Sequence, residues 1–199
     1  MDARKLIEFM RVAERLKDAP RHCWTSGGRR ESVAEHSWRA ALMAMLMADE
    51  FPELNIDRVI RMCLVHDLGE AMTGDIPAFV KNDDHRAVEA AKLDELIATL
   101  PEPWPGELRA LFAEMNALET PEAKLYKALD RMEAIQQHNE SDPATWLPLE
   151  YTLNLTYGEQ NAAFSPYLKA LRAEMRRDTE ALIEDARRRG IAPDQAPEG

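Results

Sequence analysis

Cysteine is scarce in this sequence: its 199 residues include two, Cys23 and Cys63. Two thiols do not staple a chain of this length, and they read as reduced, partly buried residues rather than a disulfide. Long apolar runs are missing as well. None approaches the roughly 20 residues that a membrane span requires. The first residues form a charged amphipathic pattern with no secretory core. β-Branched residues are sparse, which argues against a sheet-dominated fold. Positive charge is in deficit, with 25 lysines and arginines against 36 aspartates and glutamates and a formal net charge of -11. Duplex nucleic acid needs a basic face, so it is not an expected partner. A small phosphorylated molecule stays possible, because a metal ion and a few arginines supply positive charge locally. Together these absences favour a cytoplasmic enzyme or binding protein, with no membrane partner.

What is present favours helix. Hydrophobic residues make up 45% and charged residues 31% of the chain, ordinary values for one globular domain. Alanine, leucine, methionine, glutamate and arginine dominate, so the expected class is all-α, a single-domain helical bundle over residues 1–189. Residues 190–199 read as a disordered C-terminal tail. There is no internal repeat and no low-complexity segment.

Caps and breakers divide the bundle. Asp2 caps a helix over residues 3–17 whose apolar stripe is Leu6, Met10, Ala13 and Leu16. A loop from Arg21 to Glu31 follows, with Gly27, Gly28, Arg29 and Arg30 suited to a close approach to an anion. Ser32 and Glu35 form a capping box that starts a helix at Val33 and carries it to Phe51. Asn55 caps a third helix that runs to His66-Asp67. Further helices are expected over Asp84–Leu100, over Gly106–Leu118, after the Thr120 cap with Pro121, around Trp146–Tyr157, and from Ser165-Pro166 to the Gly190 stop. His22, His85 and His138 lack evident partners and read as surface or solvent-facing histidines.

Chemistry concentrates in one stretch, His66-Asp67-Leu68-Gly69-Glu70 through Gly74-Asp75-Ile76-Pro77. With His36 and Asp130 it offers two imidazoles and two carboxylates from three helices. That mixed nitrogen/oxygen set suits a borderline divalent transition metal such as manganese or cobalt better than magnesium. Four protein ligands on a six-coordinate ion leave two positions open, the mark of a catalytic site. Glu70, four residues after His66 and three after Asp67, falls on the same side of a continuing turn, where a general acid or base is wanted. Asp75, beyond Gly74, lies farther out, within reach of a substrate hydroxyl.

The order His36, His66-Asp67, Asp130, with the strings Glu31–Ser37 and His66–Pro77, resembles the HD-domain metal-dependent phosphohydrolases, and within them the YfbR-like 5′-deoxynucleotidase branch. The resemblance spans most of the chain from about Leu16. It implies an all-helical fold, one divalent metal held by His36, His66, Asp67 and Asp130, and hydrolysis of (deoxy)nucleoside 5′-monophosphates. It further implies an acid/base role for Glu70, a sugar 3′-hydroxyl contact for Asp75, a phosphate-orienting role for Arg21 and a homodimer. The pattern departs at one point. Bacterial members place tryptophan directly after that arginine, whereas His22 and Cys23 intervene before Trp24 here, with Trp24 still expected to line the nucleotide site.

Two other readings stay open on sequence. One is an HD phosphodiesterase or alarmone hydrolase, which the presence of only His85 between Asp67 and Asp130 disfavours, because diester chemistry commonly uses two metals. The other is a non-catalytic helical binding protein fastened by its metal.

Overall fold

The twenty residues of helix α7 (Pro121–Glu140) form the axis around which the other elements pack. The structure, a computed structural model, describes residues 2–77 and 79–191. Before α7 come α1 (Ala3–Ala13), the strands β1 (Pro20–Trp24) and β2 (Arg30–Ser32), α2 (Val33–Leu46), α3 (Ile56–Val65), α4 (Glu70–Thr73), α5 (Asp83–Ile97) and α6 (Trp104–Ala117). After it come α8 (Glu150–Thr156), α9 (Glu159–Ala162) and α10 (Pro166–Arg188). The all-α class holds, and no helix among the described residues is long and apolar enough to cross a membrane. Of the expected tail, residues 192–199 lie outside the described residues.

The main core lies where α2, α3 and α7 meet. Ala40 and Ala44 on α2 are fully buried, and their small side chains let α3 and α7 approach closely. Val59, Met62 and Cys63 of α3 and Leu125, Leu129 and Met132 of α7 fill the interface. Leu168 and Met175 close it from α10. A smaller cluster of Leu16, Val33, Leu68, Ala71 and Leu96 packs α4 and α5 onto the start of α2.

The expected caps form. Side-chain oxygens of Asp2, Ser32, Asn55, Thr120 and Ser165 each accept a backbone N–H of the following helix, and the Ser32–Glu35 box is reciprocal. Other boundaries move. Helix α1 ends at Ala13 and continues as a 3₁₀ turn over Glu14–Lys17; Leu6 and Met10 of the expected inward stripe are exposed. Helix α3 stops at Val65, so His66 and Asp67 occupy a turn between helices. The helix expected around Trp146 begins only at Glu150, after a 3₁₀ turn at Pro143–Thr145.

The main correction is the stretch expected to be a loop. Arg21–Glu31 belongs to a β-hairpin in which Pro20 pairs with Ser32 and Trp24 with Arg30. Gly28 turns the chain at φ 79°, a left-handed conformation that glycine adopts freely. The register is irregular between the two pairs: four steps along β1 match two along β2. Such an irregularity re-aims side chains that strict alternation would send to opposite faces.

Candidate active site

Three helices bring the four expected ligands to one point. His36 stands in the first turn of α2, fixed by the capping box; His66 and Asp67 follow the end of α3; Asp130 lies at mid-length in α7. His36 Nε2 is 3.2 Å from His66 Nε2 and 3.1 Å from Asp130 Oδ1. His66 Nε2 is 3.1 Å from Asp67 Oδ2 and 3.5 Å from Asp130 Oδ1. The pair His36 Nε2 and Asp67 Oδ2 closes the set at 3.9 Å.

The far ring nitrogens are held from behind. His66 Nδ1 donates to the Cys63 carbonyl at 2.8 Å, and His36 Nδ1 faces the buried Glu133 carboxylate. Both contacts leave Nε2 as the lone-pair nitrogen, so two imidazole lone pairs and two carboxylates converge in a buried space. This donor set fits a divalent cation, and the carboxylate behind His36 is the kind of support that fixes a metal-ligating imidazole. The electrostatics agree that positive charge is wanted here. Burial alone would lower the His66 pKa, yet Asp67 and Asp130 lift it to about 10. Burial would likewise raise Asp67 and Asp130, yet His66 holds the first, and Lys127 with the two imidazoles holds the second, below the usual carboxylate range.

The cluster opens onto a cavity of about 440 Å³ lined by Arg21, Asp67, Glu70, Asp75, Lys127 and Asp130, among others. That size suits a small organic ligand, since such sites span roughly 300–1,000 Å³. Glu70 is buried at the start of α4; its Oε1 meets Lys81 Nζ at 3.3 Å, while Oε2 has no protein partner among the described residues. Burial, then the charges of Asp67 and Asp75, push its pKa up to about 9. Asp75 follows Gly74, whose φ of 75° turns the chain back toward the cavity, and burial raises its pKa too. Arg21 Nε lies 3.1 Å from Glu31 Oε2, and its Nη1 lies 3.8 Å from Asp67 Oδ2.

Trp24 departs from expectation. It is not among the residues lining the cavity; the Arg30 guanidinium sits 5.2 Å from its ring centre. His22 lines the cavity instead. His138, expected to face solvent, is buried at 5% exposure because β1 and α8 cover it. Sequence reasoning also passed over Glu133, Lys127 and Arg131. Glu133 holds His36, Lys127 Nζ meets Asp130 Oδ2 at 2.7 Å, and Arg131 lines the cavity with its guanidinium 4.6 Å from the Tyr157 ring centre. For Lys127 and Glu133 the signal was the three-residue spacing from Asp130, which sets each beside Asp130 on an adjacent turn; Arg131, one residue on, carried none.

A helical bundle that gathers two imidazoles behind two carboxylates lining a ligand-sized cavity is a protein of the helical metallohydrolase class. The HD domain model matches residues 13–172, and the chain belongs to the HD-domain family. It is 41% identical over 143 residues to the 5′-deoxynucleotidase HDDC2 of Homo sapiens, covering 69% of each chain. The 5′-deoxynucleotidase hdd1 of Schizosaccharomyces pombe is 33% identical over 66% of this chain and 70% of its own. The 5′-deoxynucleotidase YfbR of Salmonella paratyphi B is 31% identical over 64% and 69%. Among solved structures, a predicted metal-dependent phosphohydrolase from Magnetospirillum magnetotacticum superposes with a TM-score of 0.74 at 32% identity over 95% of both chains.

Proposed function

We propose that the protein is a phosphomonoesterase that hydrolyses deoxynucleoside 5′-monophosphates to nucleoside and phosphate. The convergence of His36, His66, Asp67 and Asp130 at the wall of a cavity that Asp67, Asp130, Glu70 and Arg21 line carries this reading. The four residues would hold one divalent transition metal, manganese or cobalt by donor type, which when bound neutralises phosphoryl charge and activates water.

The protein's own groups supply the rest. Arg21 offers a guanidinium fork to the phosphate, and its pairing with Glu31 fixes the direction of that fork. Lys127 adds a second cation on the cavity wall. Glu70, held protonated by its buried setting, carries the proton on the side of Oε2 and gives it to the leaving 5′-oxygen. Asp75 accepts a hydrogen bond from the sugar 3′-hydroxyl, which distances deoxyribose recognition from the phosphate end.

The deciding experiment is phosphate release from a panel of deoxy and ribo 5′-monophosphates with added manganese or cobalt. Turnover of deoxynucleotides that Asp67→Ala abolishes supports the reading. No turnover of any member, or full turnover by Asp67→Ala, overturns it.

A further inference from the structure

The insertion of His22 and Cys23 after Arg21 has a structural counterpart. Cys23 Sγ lies 3.4 Å from His138 Nε2 and 3.8 Å from His22 Nε2. Glu150 Oε1 lies 2.9 Å from His22 Nε2 and 3.5 Å from His138 Nε2. The thiol and two imidazoles thus gather their donor atoms within 4.8 Å of one another, contributed by β1 and α7, and the Glu150 carboxylate of α8 borders the two imidazoles. In a regular strand His22 and Cys23 would point to opposite faces; here both reach His138 from a strand whose pairing is irregular.

We propose that these four residues form a second metal site, of the closed tetrahedral zinc type, in the wall of the cavity. Zinc bonds of about 2.0–2.3 Å at tetrahedral angles separate neighbouring donors by about 3.3–3.6 Å; the Cys23–His138 and His138–Glu150 separations of 3.4 and 3.5 Å lie in that range, while His22 stands 3.8 Å from Cys23 and 2.9 Å from Glu150. The Glu150 carboxylate stands beside these donors and supplies the fourth ligand. It is 2% exposed, its Oε2 accepts the Leu147 N–H at 2.6 Å, and its Oε1 pairs with the His22 and His138 imidazoles. Burial keeps His138 neutral, with a pKa near 4, and so ready to ligate. Burial also keeps Cys23 a thiol, with its pKa pushed up to about 12, so metal uptake at this site displaces a proton.

Four protein ligands leave no open position, which makes the site structural rather than a second catalytic centre. Its ion would tie β1 to α7 and α8 and so hold the strand that carries Arg21. This inference does not depend on the proposed hydrolysis, because the two sites differ in one element: the His36, His66, Asp67 and Asp130 cluster contains no sulfur.

That difference supplies the test. Purified full-length protein is stripped of metal and titrated with cobalt(II) as a spectroscopic probe, then with zinc(II). The expected result is a near-ultraviolet thiolate-to-cobalt charge-transfer band with intense tetrahedral visible bands. Zinc bleaches both. Cys23→Ser loses the charge-transfer band and binds one equivalent of metal fewer, while Cys63→Ser retains it. A wild-type spectrum without the charge-transfer band overturns the proposal whatever the variants do. So does a band that survives in Cys23→Ser.

Discussion

The Glu133 carboxylate receives the Nδ1 of His36, and neither side chain is exposed to solvent. Glu133 also accepts from Arg39 Nε at 2.6 Å. Burial would raise the Glu133 pKa, but His36, Arg21 and Arg39 hold it down at about 2, so it faces the imidazole as an anion. It therefore fixes the tautomer that presents His36 Nε2 to the ligand cluster. Glu133→Gln keeps the volume and loses the anion. Supporting carboxylates of this kind contribute roughly 10–100-fold to metal affinity, and a loss of that size is expected in a manganese titration. Unchanged affinity would mean that Glu133 only fills space.

Glu70→Gln should separate proton transfer from binding. The amide keeps the shape but donates no proton, so kcat falls by roughly 10²–10⁴ while KM and metal stoichiometry stay near wild type. The direction with pH follows from the raised pKa. The protonated form is the acid, so activity declines as pH rises through the Glu70 value, which a bound cation places no higher than about 9. A kcat/KM profile should show that alkaline limb in the wild type and lose it in Glu70→Gln.

Asp75 lines the cavity one residue after the Gly74 turn. If Asp75 accepts from the sugar, Asp75→Ala weakens deoxynucleotide binding and leaves release of phosphate from a minimal ester such as p-nitrophenyl phosphate within a few-fold of wild type. A lost hydrogen bond to a charged acceptor costs about 1.5–3 kcal/mol, or roughly 10–150-fold in kcat/KM for the nucleotide. Equal losses on both substrates would place Asp75 in the reaction rather than in sugar recognition.

The helices were legible because their signals are local. Ser32 and Glu35, or Thr120 and Pro121, sit at fixed offsets and act on the adjacent backbone. The hairpin was not, because the residues Pro20–Trp24 show no apolar–polar alternation, although their burial alternates in the fold, and the pairing is irregular. Which residues share a cavity is a long-range matter. Spacing put Glu70 beside His66, but only the packing of α2, α3 and α7 joins His36 to Asp130, and the family resemblance had to stand in for that packing. Glu150 carried no signal at all, because its role depends on α8 folding back over α7.

Arg21 has a structural task and a proposed chemical one, and a double substitution divides them. It is buried beside Glu31, whose pKa burial and the nearby Glu133 already push up to about 7. Arg21→Ala leaves Glu31 without its cation in that setting. Breaking a buried pair from one side costs roughly 3–5 kcal/mol, which urea unfolding should register. Adding Glu31→Gln removes the stranded charge, so Arg21→Ala with Glu31→Gln should recover most of the lost stability. It should not recover phosphate release, because the fork that orients the phosphate is still missing. Recovery of both together would reduce Arg21 to a partner for Glu31 and leave phosphate orientation to Lys127 and Arg131.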